Sequence, residues 1–211
     1  MEKKVVEQLN WRYATKSFDK DKKLSKSQLD TLIESLRLSP SSFGLQLWKF
    51  VIVENPETRE QLLAHSYGQV QVTEASHLLV LCSPVKVEEN HISNYINDIA
   101  KTTSVEVECL DGFRGYIDGF LKYKNEQEQK EWMKNQVYIA LGSLLTSAAM
   151  IGVDACPLEG FVPAKYDDIL GLTELGLTSV VVCPVGFRSE SDKYATTPKV
   201  RYNVEDLVIR K

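Results

Sequence analysis

Two pairs of basic residues stand near opposite ends of the 211-residue chain. Arg12 and Lys16 are four positions apart, which places both on one side of a helical or turned backbone. Lys199 and Arg201 are two positions apart, which places both on one face of an extended backbone. If the pairs converge, they can neutralise a phosphate monoester, because Arg forms paired hydrogen bonds and Lys supplies a point charge. By spacing alone, solvated surface side chains are the commoner explanation of such pairs.

Two predicted loops offer the close backbone approach that a flat heteroaromatic ring with polar edges needs. The first, Ser39–Trp48, is rich in small polar residues and joins a predicted helix to a predicted strand. An ordinary connection would explain its Pro40 and Gly44 but not its length. The second, Cys156–Phe161, follows a short predicted strand, and its Gly160 permits unusual backbone angles. These loops favour convergence of the two basic pairs on one ligand.

The composition, with 43% hydrophobic and 26% charged residues, is typical of a globular domain with a full core. The net charge of −4 and the mixing of acids with bases argue against nucleic acid or an anionic membrane as the main partner. The sequence shows no secretory pattern and no run of about 18 apolar residues, so we expect a cytoplasmic protein. The four cysteines have no metal-ligand spacing, and Cys82 and Cys183 lie in apolar runs typical of core residues.

Several catalytic signatures are absent from the sequence. It has no GxG fingerprint of a Rossmann fold, no GxSxG nucleophile and no HExxH metal motif. Gly171 and Gly176 have the spacing of a Walker A loop, but Leu177 stands where Lys is needed. The three histidines lack ligand spacing, so we expect no metal site, and His77 is predicted to be structural.

The hydrophobic pattern predicts one domain covering residues 1–211. A capping box at Ser25–Gln28 begins a helix that must end before Pro40. The clearest helix is Glu128–Ile151, with Gly152 as its natural C-cap. Further helices are predicted before Trp11, from Asn55 to about Ala64, after Pro163, and across residues 87–125, where Gly112, Gly115 and Gly119 weaken the pattern.

Buried strands are predicted at Phe50–Val53, His77–Cys82 and Thr178–Val185, with a short strand at Asp154–Pro157. The polar tail that follows ends in an apolar segment, Val204–Ile209, which is predicted to form one more strand. Because the tail is too long to be a frayed end, this segment must dock somewhere, and a neighbouring subunit is a suitable place.

Six motifs in a fixed order resemble those of the FMN-dependent, oxygen-insensitive nitroreductase family. They extend from Arg12 to Arg201 and read RYATKSFD, SPSSFGLQLW, ASH before a strand, EWMKNQVYIALGSLL, PLEGF and PKVR. The resemblance implies an α+β fold, with a mixed central sheet wrapped by helices, in an intertwined homodimer. It also implies that the C-terminal extension adds a strand to the partner's sheet, and that one FMN per subunit lies at the dimer interface.

The resemblance assigns side chains to each part of FMN. The phosphate would be held by the four cations Arg12, Lys16, Lys199 and Arg201, with Tyr13 and Ala14 beside them. The partner subunit would line the ring or ribityl chain with Pro40, Ser41, Ser42 and Gly44. The pyrimidine edge would meet Gln69 and Gln71. One flavin face would be covered by Pro157, Leu158, Glu159 and Gly160, with a backbone N–H of Glu159 or Gly160 directed at N5.

The implied activity is hydride transfer from NADH or NADPH to small acceptors such as nitroaromatics or quinones, in ping-pong order. No catalytic side chain is expected, because hydride arrives at and leaves from flavin N5. The substrate site would be roofed by Phe113, Tyr116 or Phe120, although core packing explains these aromatics equally well.

Four positions depart from the residues that are frequent in the family: Ala14 replaces Ser, Gly44 replaces Asn, Leu47 replaces Pro and Gln71 replaces Lys. The sequence therefore implies a retained FMN site but does not define its potential or its acceptors. The same scaffold also fits dihydropteridine reduction, a non-enzymatic protein that binds FMN to buffer or sense redox state, or a relative without flavin.

Overall fold

A four-stranded sheet forms the centre of the fold. The structure, a computed structural model, describes residues 2–211. The strands are β1 (Lys49–Val53), β2 (His77–Pro84), β3 (Asp154–Ala155) and β4 (Leu177–Gly186). They lie in the order β1-β2-β4-β3, and each pair of neighbours is antiparallel. The strands predicted at these four positions are confirmed, with shifts of one or two residues at their ends.

The sheet differs from the expected mixed sheet in its strand directions. Among residues 2–211, its parallel contact is a single-residue bridge between Ala14 and Ala155. The bridge does not lengthen into a strand, because the next free N–H groups, those of Lys16 and Ser17, donate to the side chain of Asp192. A carboxylate thus takes the hydrogen bonds that a strand partner would need.

Helices cover both faces of the sheet. Residues 2–211 contain α1 (Glu2–Trp11), α2 (Lys26–Arg37), α3 (Pro56–Leu63), α4 (Gln71–Glu74), α5 (Glu89–Thr103), α6 (Asp111–Lys122), α7 (Glu126–Met150), α8 (Pro163–Ile169) and α9 (Val204–Leu207). The predicted capping box of α2 is confirmed: the Gln28 N–H donates to Ser25 Oγ at 3.2 Å, and the Ser25 N–H donates to Gln28 Oε1 at 3.0 Å.

The two central strands are buried on both faces, which explains their continuous apolar sequences. Side chains of β2 alternate between two cores: Leu79 and Leu81 pack with α2 and α7, whereas Leu78 and Val80 pack with α3 and α8. Cys82 and Cys183 are fully buried, as predicted. A third core joins α5, α6 and the first half of α7.

The longest helix, α7, has 25 residues and links the third core to the core beneath the sheet. The predicted role of Gly152 in ending α7 is confirmed: it follows the C-cap Ile151 and has a left-handed φ of +70°. The Gly152 N–H donates to the Ala149 carbonyl at 3.1 Å, and the Val153 N–H donates to the Ala148 carbonyl at 2.9 Å. These two bonds form a Schellman motif. No helix within residues 2–211 has both the length and the apolar content needed to cross a bilayer.

The helical region across residues 87–125 breaks at a different place from the one predicted. α5 ends at Thr103, its C-cap Ser104 has a left-handed φ of +58°, and a short 3-10 turn leads into α6. Gly112, Gly115 and Gly119 lie inside α6, and a Cβ added at any of them would meet no atom within 4 Å apart from its chain neighbours and the backbone of the helix itself. The glycines lower the helix propensity without breaking the helix, because its buried face still packs.

The strand predicted at Val204–Ile209 does not form within the isolated chain, and its pairing with a neighbouring subunit stays a prediction. The segment contains α9, a single turn in which the Val208 N–H donates to the Val204 carbonyl at 2.9 Å. No strand among residues 2–211 pairs with it, so local helical bonds form instead. Its apolar side chains stay in solvent, with Leu207 65% and Ile209 85% exposed.

The first helix also lacks a complete packing partner. No residue of α1 is buried, and Val6 and Leu9 are 59% and 43% exposed. A helix of this length is marginal in water by itself, so α1 depends on packing for its stability. Among the helices and strands of residues 2–211, α7 is the one against which α1 packs most extensively. The N-terminal helix and the C-terminal tail therefore both expose apolar side chains to solvent.

We expect Gly152→Ala to lower the free energy of unfolding by about 1 kcal/mol, because L-residues are strained at positive φ. Nothing crowds the added methyl group, so the backbone angle alone carries the effect. Gly115→Ala is the matched control, since its methyl group also meets open space but inside a helix, and it should be stabilising by up to about 1 kcal/mol. Urea unfolding at one fixed protein concentration measures both. Equal shifts in the two variants would contradict the explanation.

Candidate functional site

The segment that follows α1 carries the first predicted cations, and the C-terminal part of the chain holds it in place. Residues 12–17 form neither a helix nor a strand. The buried carboxylate of Asp192 accepts hydrogen bonds from the Tyr13 hydroxyl at 2.9 Å, the Lys16 N–H at 2.8 Å and the Ser17 N–H at 3.2 Å. The shape of this segment is therefore set by a residue close to the other end of the chain.

The structure places the second predicted basic pair beside Arg12. The ammonium group of Lys199 donates to the carbonyl oxygens of Leu9 and Arg12 at the C-terminal end of α1. A cation is favoured there, because the last carbonyl groups of a helix lack partners. Partial burial is the main cause that lowers the pKa of Lys199, and the positive charges of Arg12 and Arg201 lower it further. Three of the four predicted cations thus lie near one another.

Lys16 completes the group. Its Nζ lies 3.9 Å from Cys156 Sγ. Burial raises the pKa of the Cys156 thiol, and the charges of Lys16 and Arg12 oppose that shift, so Arg12 lies near this thiol as well as near Lys199. None of the four cations forms an ion pair with a carboxylate of residues 2–211. We call Arg12, Lys16, Lys199 and Arg201 the cation cluster, and its uncompensated charge attracts anions.

A fifth cation, Arg188, is bound to a carboxylate and therefore differs from the cluster. Its Nη2 donates to Asp154 Oδ1 at 2.7 Å, and its guanidinium lies 4.2 Å from the ring centre of Trp11 and 4.7 Å from that of Tyr13. Asp154 is only 4% exposed. The pair fixes the two aromatic side chains that flank Arg12. Sequence reasoning missed both Arg188 and Asp192, because their partners lie far away along the chain.

The loop Cys156–Phe161 leaves two neighbouring backbone donors free. Leu158 exchanges two backbone hydrogen bonds with Val182 of β4, at 2.7 and 3.0 Å, which anchors the loop to the sheet. The next two N–H groups, of Glu159 and Gly160, have no acceptor among residues 2–211. Such adjacent unpaired donors can bind an acceptor atom of a ligand.

Side chains from two other elements hold this loop. The Tyr138 hydroxyl of α7 donates to the carboxylate of Glu159, and burial together with this bond raises the pKa of Tyr138. Gln69 Nε2 donates to the Gly160 carbonyl at 2.7 Å, so this predicted site residue supports the loop. Gln71, which is 5% exposed, lies beside the Cys156 thiol. Both glutamines therefore contact the loop that the resemblance places over one flavin face, and their assignment to the pyrimidine edge stays a prediction.

The predicted loop Pro40–Gly44 packs on the first half of α7. The Ser42 N–H donates to Oε1 of the buried Gln136 at 2.8 Å. Phe43 has a φ of +56°, a strained conformation for a residue with a side chain. Gly44 has a φ of +76°, and a Cβ there would lie 2.0 Å from the Tyr95 hydroxyl oxygen. Only glycine fits this position while Tyr95 keeps its place.

The two loops attach to opposite sides of α7. Pro40–Gly44 contacts Gln136, and Glu159 contacts Tyr138, two positions later. Two positions correspond to about 200° around a helix. Within one chain, Pro40–Gly44 therefore does not share a pocket with the cation cluster and the loop Cys156–Phe161. The structure brings together every predicted site element except those that the resemblance assigns to the partner subunit or to the substrate.

The predicted substrate aromatics lie with the Pro40–Gly44 loop. The ring centres of Phe113 and Phe120 are 6.4 and 5.1 Å from that of Phe43. These two α6 side chains are partly buried, whereas Tyr116 is 75% exposed. Phe113 and Phe120 therefore belong to a packed aromatic cluster that supports the loop, and Tyr116 extends into solvent.

A groove of about 830 Å³ runs along the free edge of β1, away from the cation cluster. It is lined by Lys49 and Phe50 of this edge strand, by Trp48, and by the basic side chains of Arg37 and Lys86. None of the residues predicted to bind the cofactor lines it. An edge strand offers unpaired N–H and carbonyl groups, so the groove suits an added peptide strand better than a flavin.

Comparison with known proteins matches residues 9–187 to the model of the nitroreductase family. The candidate NAD(P)H nitroreductase YfkO of Bacillus subtilis is 36% identical over 218 residues, which cover 97% of this chain and 96% of that protein. The crystal structure of the candidate nitroreductase ydfN of Bacillus subtilis superposes with a TM-score of 0.89 at 20% identity, covering 100% of both chains. A candidate nitroreductase of Exiguobacterium sibiricum, solved in complex with FMN, gives a TM-score of 0.83 at 22% identity and covers 98% of this chain and 97% of its own.

We expect Asp154→Asn to lower the free energy of unfolding by about 3 kcal/mol, because it leaves Arg188 without its buried counter-ion. Asp168→Asn is the control, since Asp168 forms an exposed ion pair with Lys165 and its loss should cost less than about 1 kcal/mol. Chemical denaturation at fixed concentration compares the two. A loss at Asp154 as small as that at Asp168 would show that the Arg188 pair does not hold this segment.

Proposed function

The chain belongs to the nitroreductase family, and on that basis we propose that it is an FMN-dependent oxidoreductase. In this proposal residues 1–211 are one FMN-binding domain, hydride passes from NADH or NADPH to flavin N5, and small acceptors such as nitroaromatics or quinones then receive it. The observation that carries the proposal is the cation cluster, which has four positive charges and no carboxylate partner among residues 2–211. The FMN complex of a structural relative supports it.

The cation cluster fits a phosphate monoester in charge and in chemistry. A phosphate dianion needs several donors, and guanidinium and ammonium groups provide charge-assisted hydrogen bonds. Arg12 is half-buried, and its guanidinium donates to no residue within 2–211, so all of its side-chain donors are available. Burial first and then the charges of Arg12 and Arg201 lower the pKa of Lys199, and a bound anion would offset these positive charges.

The ring end of the site would be formed by the loop Cys156–Phe161. When bound, FMN supplies the hydride-transfer chemistry, and the protein contributes binding, orientation and electrostatics. The free N–H groups of Glu159 and Gly160 are suited to an acceptor such as N5, and Tyr138 and Gln69 keep them in place. The buried amide of Gln71 would meet the pyrimidine edge and favour the reduced anion less than a lysine would.

A second copy of the chain would complete the site. The loop Pro40–Gly44 lies on the far side of α7 from the cation cluster, so only another subunit can bring such a loop to the ring. The uncovered apolar residues of α1 and of the tail are further support for a homodimer. The aromatic cluster of Phe113 and Phe120 would arrive with the partner's loop and form a wall over the substrate.

The groove along β1 would receive the partner's tail. The groove is lined by acidic Glu88 and Asp98 as well as by basic side chains, so support for the tail as its occupant comes from the unpaired edge of β1 rather than from charge. An extended tail can pair with the unpaired groups of β1, which α9 cannot do. In the dimer, α9 would therefore unfold and become the strand that the sequence pattern predicts.

Visible absorbance of the purified protein tests the proposed function. We expect the spectrum of bound flavin, its bleaching by NADH or NADPH under argon, and its return when a quinone or a nitroaromatic is added. Steady-state oxidation of the nicotinamide should require the acceptor. A coloured protein that is never reduced would contradict the enzymatic proposal, and a protein that stays colourless with added FMN would contradict the cofactor.

We expect Lys199→Ala combined with Arg201→Ala to weaken FMN binding by about 100-fold. Each lost charge-assisted hydrogen bond contributes at least about 1.5 kcal/mol, and two of them correspond to about that factor. Lys101→Ala combined with Lys130→Ala removes two exposed positive charges on α5 and at the start of α7, and should change the affinity less than about threefold. Quenching of flavin fluorescence measures both. An unchanged affinity in the first variant would mean that the tail does not bind the phosphate.

A further inference from the structure

Asp192 is a buried acid that accepts a hydrogen bond from the backbone of Lys16, a member of the cation cluster, and it forms an ion pair with none of the cluster's charged groups. Its side chain is 5% exposed in relative terms. Oδ2 accepts from the Tyr13 hydroxyl at 2.9 Å, the Lys16 N–H at 2.8 Å and the Ser17 N–H at 3.2 Å, and Oδ1 accepts from the Tyr194 N–H at 3.0 Å. All of its partners are neutral donors, and three of them are backbone groups.

These hydrogen bonds keep the Asp192 carboxylate ionised and keep the Tyr13 hydroxyl protonated. Burial alone would raise the pKa of Asp192, but the N–H groups of Lys16, Tyr194 and Ser17 outweigh it and lower the pKa. Burial and the bond to Asp192 raise the pKa of Tyr13 to about 12. The four-donor arrangement is therefore constant around neutral pH.

The same stretch of chain is tied to the N-terminal segment at a second place. Asp192 binds residues 13–17, and Lys199 binds the carbonyl groups of Leu9 and Arg12. The two ties bracket Arg12, so the spacing between the N-terminal and C-terminal cations depends on both. Lys199 is itself a member of the cation cluster, so a bound anion would compete with the carbonyl groups for it. The contacts of Asp192 meet no such competition, because a carboxylate does not bind an anion.

We infer that Asp192 is a positioning residue for phosphate binding: its carboxylate shapes residues 13–17 and fixes Lys16 and Arg12 relative to Lys199 and Arg201. The inference rests on the proposed function, since it concerns the same phosphate site. Asp192 does not touch the phosphate. It uses its negative charge on backbone N–H groups, and the cations around it stay free for the ligand.

The test compares FMN with riboflavin, which has the same ring and ribityl chain but no phosphate. Asp192→Asn cannot satisfy all four donors, because an amide presents an N–H group where one carboxylate oxygen accepted a bond. We expect the ratio of FMN to riboflavin affinity to fall at least about tenfold, the effect of one displaced charge-assisted bond. Riboflavin affinity should change little. Fluorescence quenching at constant ionic strength measures both ligands.

Glu190→Gln is the matched control, because it removes the same charge from an exposed residue two positions away and should leave the ratio unchanged. If Asp192→Asn lowers the affinities for FMN and riboflavin equally, Asp192 contributes only to general stability and the inference is overturned. It is also overturned if neither affinity changes. Should Asp192→Asn fail to fold, Asp192→Glu keeps the charge but displaces it by one methylene, and the same fall in the ratio is expected. A wild-type protein that binds neither ligand would refute the proposed function, whereas a retained preference for FMN in the variants would refute only the role of Asp192.

Discussion

Repulsion among like charges is the constraint around which the two ends of this chain are arranged. Partial burial and then the positive charges of Arg12 and Arg201 lower the pKa of Lys199, and no carboxylate among residues 2–211 forms an ion pair with any of the three. Such a cluster is unfavourable in the absence of an anion. The two nearby buried acids do not neutralise the cluster, because each is bound to other groups. Asp154 pairs with Arg188, and Asp192 accepts hydrogen bonds from backbone N–H groups. The cations therefore stay unpaired because the partners of Asp154 and Asp192 prevent these carboxylates from binding them.

The elements of the fold were largely predictable, because local chemistry specifies them. The capping box at Ser25, the continuous apolar runs of β2 and β4, and the left-handed Gly152 act over a few residues, and each has a direct sequence signature. The errors have physical causes as well. Glycines in α6 do not break the helix, because burial of its other face compensates, and Val204–Ile209 cannot pair as a strand without a sheet edge to receive it.

The site was only partly predictable, for a different reason. Basic spacing and the six family motifs indicate Arg12, Lys16, Lys199 and Arg201, but nothing local distinguishes Asp192 or Arg188 from other polar residues of the tail. Their importance comes from contacts with Tyr13, Lys16 and Asp154 across the length of the sequence. Period and propensity describe neighbours along the chain and cannot describe such pairs. Side chains that position a site are therefore harder to predict than side chains that bind a ligand.

The position of α7 between the two loops has a consequence for a dimer of the proposed kind. Each copy of this helix would support the Pro40–Gly44 loop of one flavin site through Gln136 and the Glu159 loop of the other through Tyr138. These contacts are little more than half a helical turn apart on one rigid rod. A displacement caused by reduction or occupancy at one site would thus be transmitted to the second. The two flavins would behave as a coupled pair, and cooperativity between them would arise from α7, which lies between a loop of one flavin site and a loop of the other.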